Sequence, residues 1–351
     1  MMNTSARSST NRRGQFWLVL SLVAALSPAG CGEAAPSEPV QPTGTISEAA
    51  ERYLDELVGI MRDYSINRLR IDWGAFRTSV LAFACDAQNI SDTYPAIRVA
   101  LSLLGDGHSS FPPPTGEVIY VPNRTCRGSG ASTPTLPESI GYVKVRSFSG
   151  SAVQATYYAN QLQGAIASAD RDGLIGWIVD LRGNGGGNMW PMLAGVGPVL
   201  GEGVVGYFID PTGAEAVWEY RDGASWSGGY VMKQVDSAYR LRTERPRVAV
   251  LTDNGIASSG EATVIAFRGR PDTRSFGMPT CGLSTANYAF AMSDGASLNL
   301  TVSTMADRDR TPYGDVIRPD EVLLDPVPRA IAWLESGVQR SRAEPPSPRY
   351  H

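Results

Sequence analysis

The spacing of apolar positions changes near residue 140. Ahead of it, the capping box Thr45-Ile-Ser-Glu48 opens a stretch in which Ala49, Tyr53, Leu57, Ile60 and Met61 recur on one helical face. Further helices are predicted over residues 72–84 and 95–104. Beyond it, residues 140–146 alternate as a strand, 151–170 read as a helix, and 174–181 form a continuous apolar run, as a strand buried on both faces would. The run Arg182-Gly-Asn-Gly-Gly-Gly-Asn188 then leads into an apolar helix over 189–200. Strands are predicted over 204–209 and 216–221, with a Gly/Ser-rich loop at 223–229. Val248 to Leu251 is a short buried strand, bounded by Asp253, Asn254 and Gly255. The helix after it runs from about Glu261 until Gly269 and Pro271 stop it. A hairpin turning at Ser293-Asp-Gly295 and a last helix carrying Ala330, Ile331, Trp333 and Leu334 complete the pattern. Alternating strands and helices predict an α/β fold.

The first residues have a different character. Arg7, Arg12 and Arg13 precede the apolar run 16–26, and small residues lead to Cys31, the arrangement of an export signal. Pro28-Ala-Gly-Cys31 is similar to a bacterial lipoprotein cleavage site, with Cys31 as the lipidated residue; an ordinary secretory signal cut near Ala29 is the alternative. The chain therefore divides into a signal peptide (1–31), a Pro-rich linker (32–44), a small helical unit (45–105), a connector (106–139), an α/β domain (140–340) and a disordered tail (341–351).

With 351 residues and 42% apolar composition the chain can bury a sizeable core. A net charge of −4 and the absence of basic runs beyond the extreme N-terminus speak against a nucleic-acid partner. Two histidines and no CxxC pair speak against a structural zinc site, and no cofactor or metal is expected. Of the remaining cysteines, Cys85 and Cys126 could pair, leaving Cys281 free.

Ser258 lies in Ala257-Ser-Ser-Gly-Glu261, between a buried strand and a helix. Unpaired amides and the helix dipole favour a developing negative charge there, so Ser258 reads either as a nucleophile or as a helix cap closed by Glu261. His108, in Gly-Asp-Gly-His-Ser-Ser-Phe, is the only histidine outside the tail and the candidate base. The glycines between strand and helix let main chain approach a ligand; a dinucleotide loop would need a third glycine at Asn188.

Four pieces in this order, Asp-Gly-His108, Asp180-Leu-Arg-Gly-Asn-Gly-Gly-Gly187, Ala257-Ser-Ser-Gly-Glu261 and Val316-Ile-Arg-Pro-Asp320, resemble the tail-specific, or C-terminal processing, serine peptidases. The resemblance spans residues 45–330 and implies a crotonase-like peptidase core. Many members pair the serine with a lysine twenty-five residues on; Leu283 stands there. The retained His108 points to the histidine-using branch, as in the nisin-resistance and tricorn peptidases, and the short interval to Ile140 leaves no room for a PDZ domain.

On this reading His108 takes the proton of Ser258, whose oxygen forms the acyl-enzyme, Glu261 orients the imidazole, and Asp106, Asp307, Asp309 and Asp315 are weaker candidates for that role. Backbone amides of Ser259 and Gly186 hold the oxyanion. Gly185, Gly187, Met189 and Trp190 line the substrate site, although Met189, Trp190 and Met192 fit equally well as helix core. Arg182 and Asn184 shape the loop, and Asp180 braces it. The expected partner is an extended peptide or unfolded protein, met in the bacterial cell envelope from a membrane anchor. A non-catalytic binding protein on the same scaffold predicts Ser258 and His108 beyond hydrogen-bond reach; a crotonase-like acyl-thioester enzyme predicts a cationic nucleotide site beside Gly185–Gly187.

Overall fold

The computed structural model describes residues 44–343, with side chains to residue 337. The signal peptide, Cys31, nearly all of the linker and most of the tail lie outside the described residues. Three helices come first: α1 (Glu48–Tyr64), α2 (Trp73–Ala82) and α3 (Tyr94–Leu104). Ser47 caps α1 by accepting from the Ala50 amide, and Asp72 caps α2 by accepting from those of Gly74 and Ala75. The face α1 buries carries Ala50, Tyr53, Leu54, Leu57, Val58 and Met61; it is rotated from the predicted one, and Ala49 is exposed.

The short strands β1 (Ser110–Phe111) and β2 (Ile119–Tyr120) follow, then β3 (Ile140–Lys144), α4 (Ala152–Ala169), β4 (Gly176–Asp180) and α5 (Met189–Leu200). An antiparallel meander comprises β5 (Gly203–Ile209), β6 (Glu215–Arg221), β7 (Ala224–Ser227) and β8 (Tyr230–Gln234). The predicted loop at 223–229 is thus resolved into a strand between two turns: Gly223 and the Gly228-Gly229 pair, all at positive φ, reverse the chain on either side of β7. The remainder is β9 (Val248–Thr252), α6 (Ser259–Ala266), β10 (Thr273–Gly277), β11 (Thr285–Ala291), β12 (Ser297–Ala306), β13 (Glu321–Val322) and α7 (Val327–Ala343).

These strands form two sheets. A parallel sheet has the order β13-β10-β9-β4-β3; the antiparallel sheet runs β2-β1-β12-β5-β6-β7-β8, with β11 on the other side of β12. Trp177, Val179, Val248 and Val250 of the parallel sheet pack with Leu162, Met192, Leu193 and Ile265 from α4 to α6, and this core continues to Val205 and Trp218 of the antiparallel sheet. On the opposite face, Ile178, Ala249 and Leu251 meet Ala330 and Leu334 of α7. The architecture is mixed α/β. The helices over 45–105 share a core with Leu298 and Leu300 of β12, and the described residues make one compact unit rather than a helical unit set apart from an α/β domain.

The register of this fold creates the site. Asp180 at the end of β4 pairs with Leu251 of β9, so both strands deliver their following loops to the same carboxyl edge.

Candidate active site

Ser258 closes the loop after β9 and precedes the first residue of α6. Its backbone is at φ 51 and ψ −120, a conformation non-glycine residues rarely adopt. Such strain, of order 1–3 kcal/mol, persists only where surrounding contacts enforce it. Here they are explicit. The Ala257 amide donates to the Asn184 carbonyl (3.1 Å), the Ser258 amide to Glu261 Oε2 (2.9 Å), and Ser259 Oγ to the Gly187 carbonyl (2.7 Å). Two glycines permit the fit: a Cβ on Gly260 would lie 2.1 Å from the Asn184 carbonyl oxygen, and one on Gly186 would lie 3.0 Å from Ser258 Cβ.

The loop after β4 is held equally firmly. Asp180, fully buried, forms a fork with Arg182 Nε and Nη2 (2.9 and 2.8 Å) and accepts from the Tyr142 hydroxyl, with Lys144 Nζ 3.1 Å away. Burial alone would raise its pKa; the bond to Arg182 and the nearby charges outweigh it, and the carboxyl lies below its ordinary range. Its role is the predicted bracing one. Asp253 was missed by sequence reasoning and ties the two loops together: Oδ1 accepts from the Gly183 and Gly255 amides, and Oδ2 from the Ser129 amide and hydroxyl.

His108 is fixed from below by Asp106, which accepts from the His108 and Ser109 amides and the Ser109 hydroxyl. The imidazole Nδ1 lies 2.8 Å from Thr285 Oγ1, at the start of β11. A hydroxyl accepting there leaves Nε2 as the unprotonated nitrogen. Burial lowers the His108 pKa to about 4, against the opposing charge of Asp106. Nε2 makes no hydrogen bond among the described residues, to Ser258 or to any other group. His108 and Leu283 both line a cavity of about 270 Å³. The Leu283 amide donates to Glu261 Oε2 (2.7 Å), the oxygen that also receives the Ser258 amide, so the cavity abuts the serine loop.

Several site expectations are corrected. Glu261 does not orient the imidazole: it is fully buried, and its oxygens accept from Thr280 Oγ1 and the amides of Gly282, Leu283 and Ser258. Burial raises its pKa against those bonds. The group on the imidazole is Thr285, for which the sequence carries no spacing signal. Asp307 and Asp315 are engaged elsewhere, with Tyr313 and Arg124 respectively, and the Asp309 carboxylate lies against Gly269. The Gly186 amide donates to Asn184 Oδ1 (3.0 Å) and is not directed at Ser258. Met189 and Met192 are core, and Trp190 packs at its edge against Phe208, because α5 is buried between the two sheets. The Gly185 amide donates to Ser147 Oγ, whereas the amides of Gly187 and Ser259 donate to no described group. Finally, the disulfide joins Cys126 to Cys281; Cys85 sits beside Asp86.

The sequence profile of peptidase family S41 matches residues 139–323, just over half of the chain. The chain belongs to peptidase family S41. It is a serine-type peptidase. It is 28% identical over 274 residues to the nisin-resistance protein of Lactococcus lactis subsp. lactis, covering 76% of this chain and 81% of that one. It is 29% identical over 171 residues to the carboxy-terminal processing protease CtpA of Bacillus subtilis (strain 168), covering 49% of this chain and 32% of that protein. Among solved structures, a lipoprotein from Streptococcus agalactiae superposes with a TM-score of 0.65 at 23% identity, over 83% of this chain and 98% of that one. The photosystem II D1 C-terminal processing protease superposes at 0.54 and 15% identity, over 79% and 94%. These two likenesses establish a shared fold.

Proposed function

We propose that this S41 peptidase cleaves exported peptides or proteins through Ser258 and His108, on a core of the crotonase type. The observation that carries the reading is the strained Ser258 at the carboxyl edge of the parallel sheet, packed on a glycine run and adjoining a cavity walled by a neutral imidazole. His108 Nε2 takes the hydroxyl proton, and Ser258 Oγ attacks the carbonyl carbon. The C–N bond breaks as the imidazolium returns its proton to the leaving amine, and water releases the acyl group by the same steps. Catalytic contacts commonly tighten only on substrate binding, which accounts for the open distance between His108 and Ser258. The Ser259 amide is the first oxyanion donor, and the second donor falls to Gly187, whose amide is uncommitted while that of Gly186 is bound to Asn184.

Export through the N-terminal signal, with lipid attachment at Cys31, accords with the disulfide, since such bonds form in oxidising compartments. No helix among the described residues is long and apolar enough to cross a membrane. Two cations beside the glycine run, Arg182 and Lys144, are engaged by Asp180, which counts against the acyl-thioester reading. The missing hydrogen bond between His108 and Ser258 is what a non-catalytic binding protein would also show, and one experiment separates the two. Purified residues 32–351 are treated with a fluorophosphonate probe alongside Ser258→Ala and His108→Ala. Labelling of the wild type that both substitutions abolish supports the mechanism; a folded wild type that neither labels nor cuts peptides overturns it in favour of binding.

A further inference from the structure

The cavity that His108 and Leu283 line has a composition that the reaction itself does not require. Its walls are mostly apolar, supplied by Tyr120, Pro122, Leu283 and the Cys126 half of the disulfide, with Arg124 as the one cation. Arg124 Nη1 pairs with Asp315 at 2.8 Å, and the guanidinium lies over Gly282, where a Cβ would come 2.5 Å from Nη1. Asp315 is largely exposed, so it orients the fork from outside, and the pair uses one of the five donors of Arg124. The Cys126–Cys281 bond fastens this segment to the serine side of the cavity.

Resting on the proposed Ser258/His108 reaction, the side of the scissile bond that the cavity serves follows from chemistry. The imidazole must hand its proton to the leaving amine, so the residue that carries this amine sits against His108. We propose that the His108–Leu283 cavity is the leaving-group subsite, taking an apolar side chain immediately after the scissile bond while Arg124 binds a carboxylate close behind it. That carboxylate is either the free terminus of the peptide or an adjacent Asp or Glu side chain; the shared chemistry is a bidentate guanidinium–carboxylate pair. Leu283, where many relatives carry lysine, then contributes an apolar wall instead of a base.

The test uses peptides with one common acyl segment. The residue after the scissile bond is Leu or Gly, and each version is made as a free acid, as a C-terminal amide, and as an amide with Glu next in sequence. Products are identified by mass spectrometry and kcat/KM is compared within each enzyme, so partial loss of activity in a variant does not blur the ratios. For the wild type we expect Leu over Gly by at least about ten-fold, and the same margin for one or both carboxylate forms over the plain amide; which form wins identifies the source. Arg124→Gln should collapse the carboxylate margin and leave that for Leu, and Leu283→Trp should do the converse. Wild-type ratios near one, or ratios unmoved by both substitutions, overturn the assignment. Fluorophosphonate labelling involves no leaving-group residue: wild type that labels but cuts none of these peptides refutes the subsite alone, whereas absence of labelling refutes the serine mechanism with it.

Discussion

Thr285 Oγ1 lies 2.8 Å from Nδ1 of His108, and this hydroxyl occupies the place a carboxylate takes in the better-known serine triads. A neutral hydroxyl can hold the ring and select its tautomer, but it stabilises the imidazolium less than a negative charge would. Thr285→Val keeps the shape and removes the acceptor. We expect kcat/KM to fall by roughly 10- to 100-fold, a fraction of the full general-base contribution. Thr285→Ser should restore most of it, and steady-state kinetics on a cleaved peptide checks both.

The depressed pKa of His108 makes a prediction about acid. Burial lowers it to about 4 from an ordinary 6.5, so the imidazole is a free base over a wider range than usual. The acid limb of kcat/KM should fall near pH 4. Between the two values the unfolded chain binds a proton that the folded chain refuses, so this group's contribution to stability is present above pH 6.5 and lost as the pH falls toward 4. Comparing the pH dependence of Tm in the wild type and His108→Gln isolates that slope.

Glu261 has the opposite sign. Its folded pKa is raised above 4.5, so the folded chain holds the proton longer, and this group lowers stability as the pH rises through that window. Glu261→Gln sets an amide NH₂ against groups that are themselves donors. We expect a loss of about 1–3 kcal/mol for each donor left without a partner. Activity should fall because the serine loop loosens. The acid limb should keep its position, since Glu261 does not touch the imidazole; a shifted limb would restore Glu261 as its orienting group.

Ser258→Gly separates stability from activity. Glycine adopts φ 51 without penalty, and relief of strain should outweigh its greater unfolded freedom by about 1 kcal/mol, raising Tm while abolishing turnover. Ser258→Ala retains the strain and should show no such rise.

The disulfide gives a prediction of scale. It spans 155 residues, and replacing both Cys126 and Cys281 by Ser should cost about 2–5 kcal/mol, read by denaturant unfolding.

Much of the fold was legible because its signals are local. The strands at Val248–Thr252 and Gly176–Asp180 are continuous apolar runs, and the glycine run and Ser258 follow directly from them. What escaped was made by tertiary contact. Thr285 and Asp253 carry no distinguishing neighbours in sequence, and only the adjacency of β4 to β9, and of β11 to the His108 loop, gives them partners. The same reason undid Glu261. Its spacing from Ser258 correctly placed its carboxylate on the serine amide, but spacing says nothing about Thr280, Gly282 and Leu283, which occupy the oxygens left over. Cys126 and Cys281 were likewise indistinguishable from the rejected pairing until the connector was laid along the serine loop.

That link also orders events in time. Ribosomes deliver the chain from its N-terminus, so His108, Cys126 and Ser258 all emerge before Cys281, and Leu283 and Thr285 come after it. The covalent fastening of the site therefore waits until base, nucleophile and glycine run are already present in the chain. A chain that ends before Cys281 carries the base, the nucleophile and the glycine run without the disulfide that fastens them or the hydroxyl that meets the imidazole.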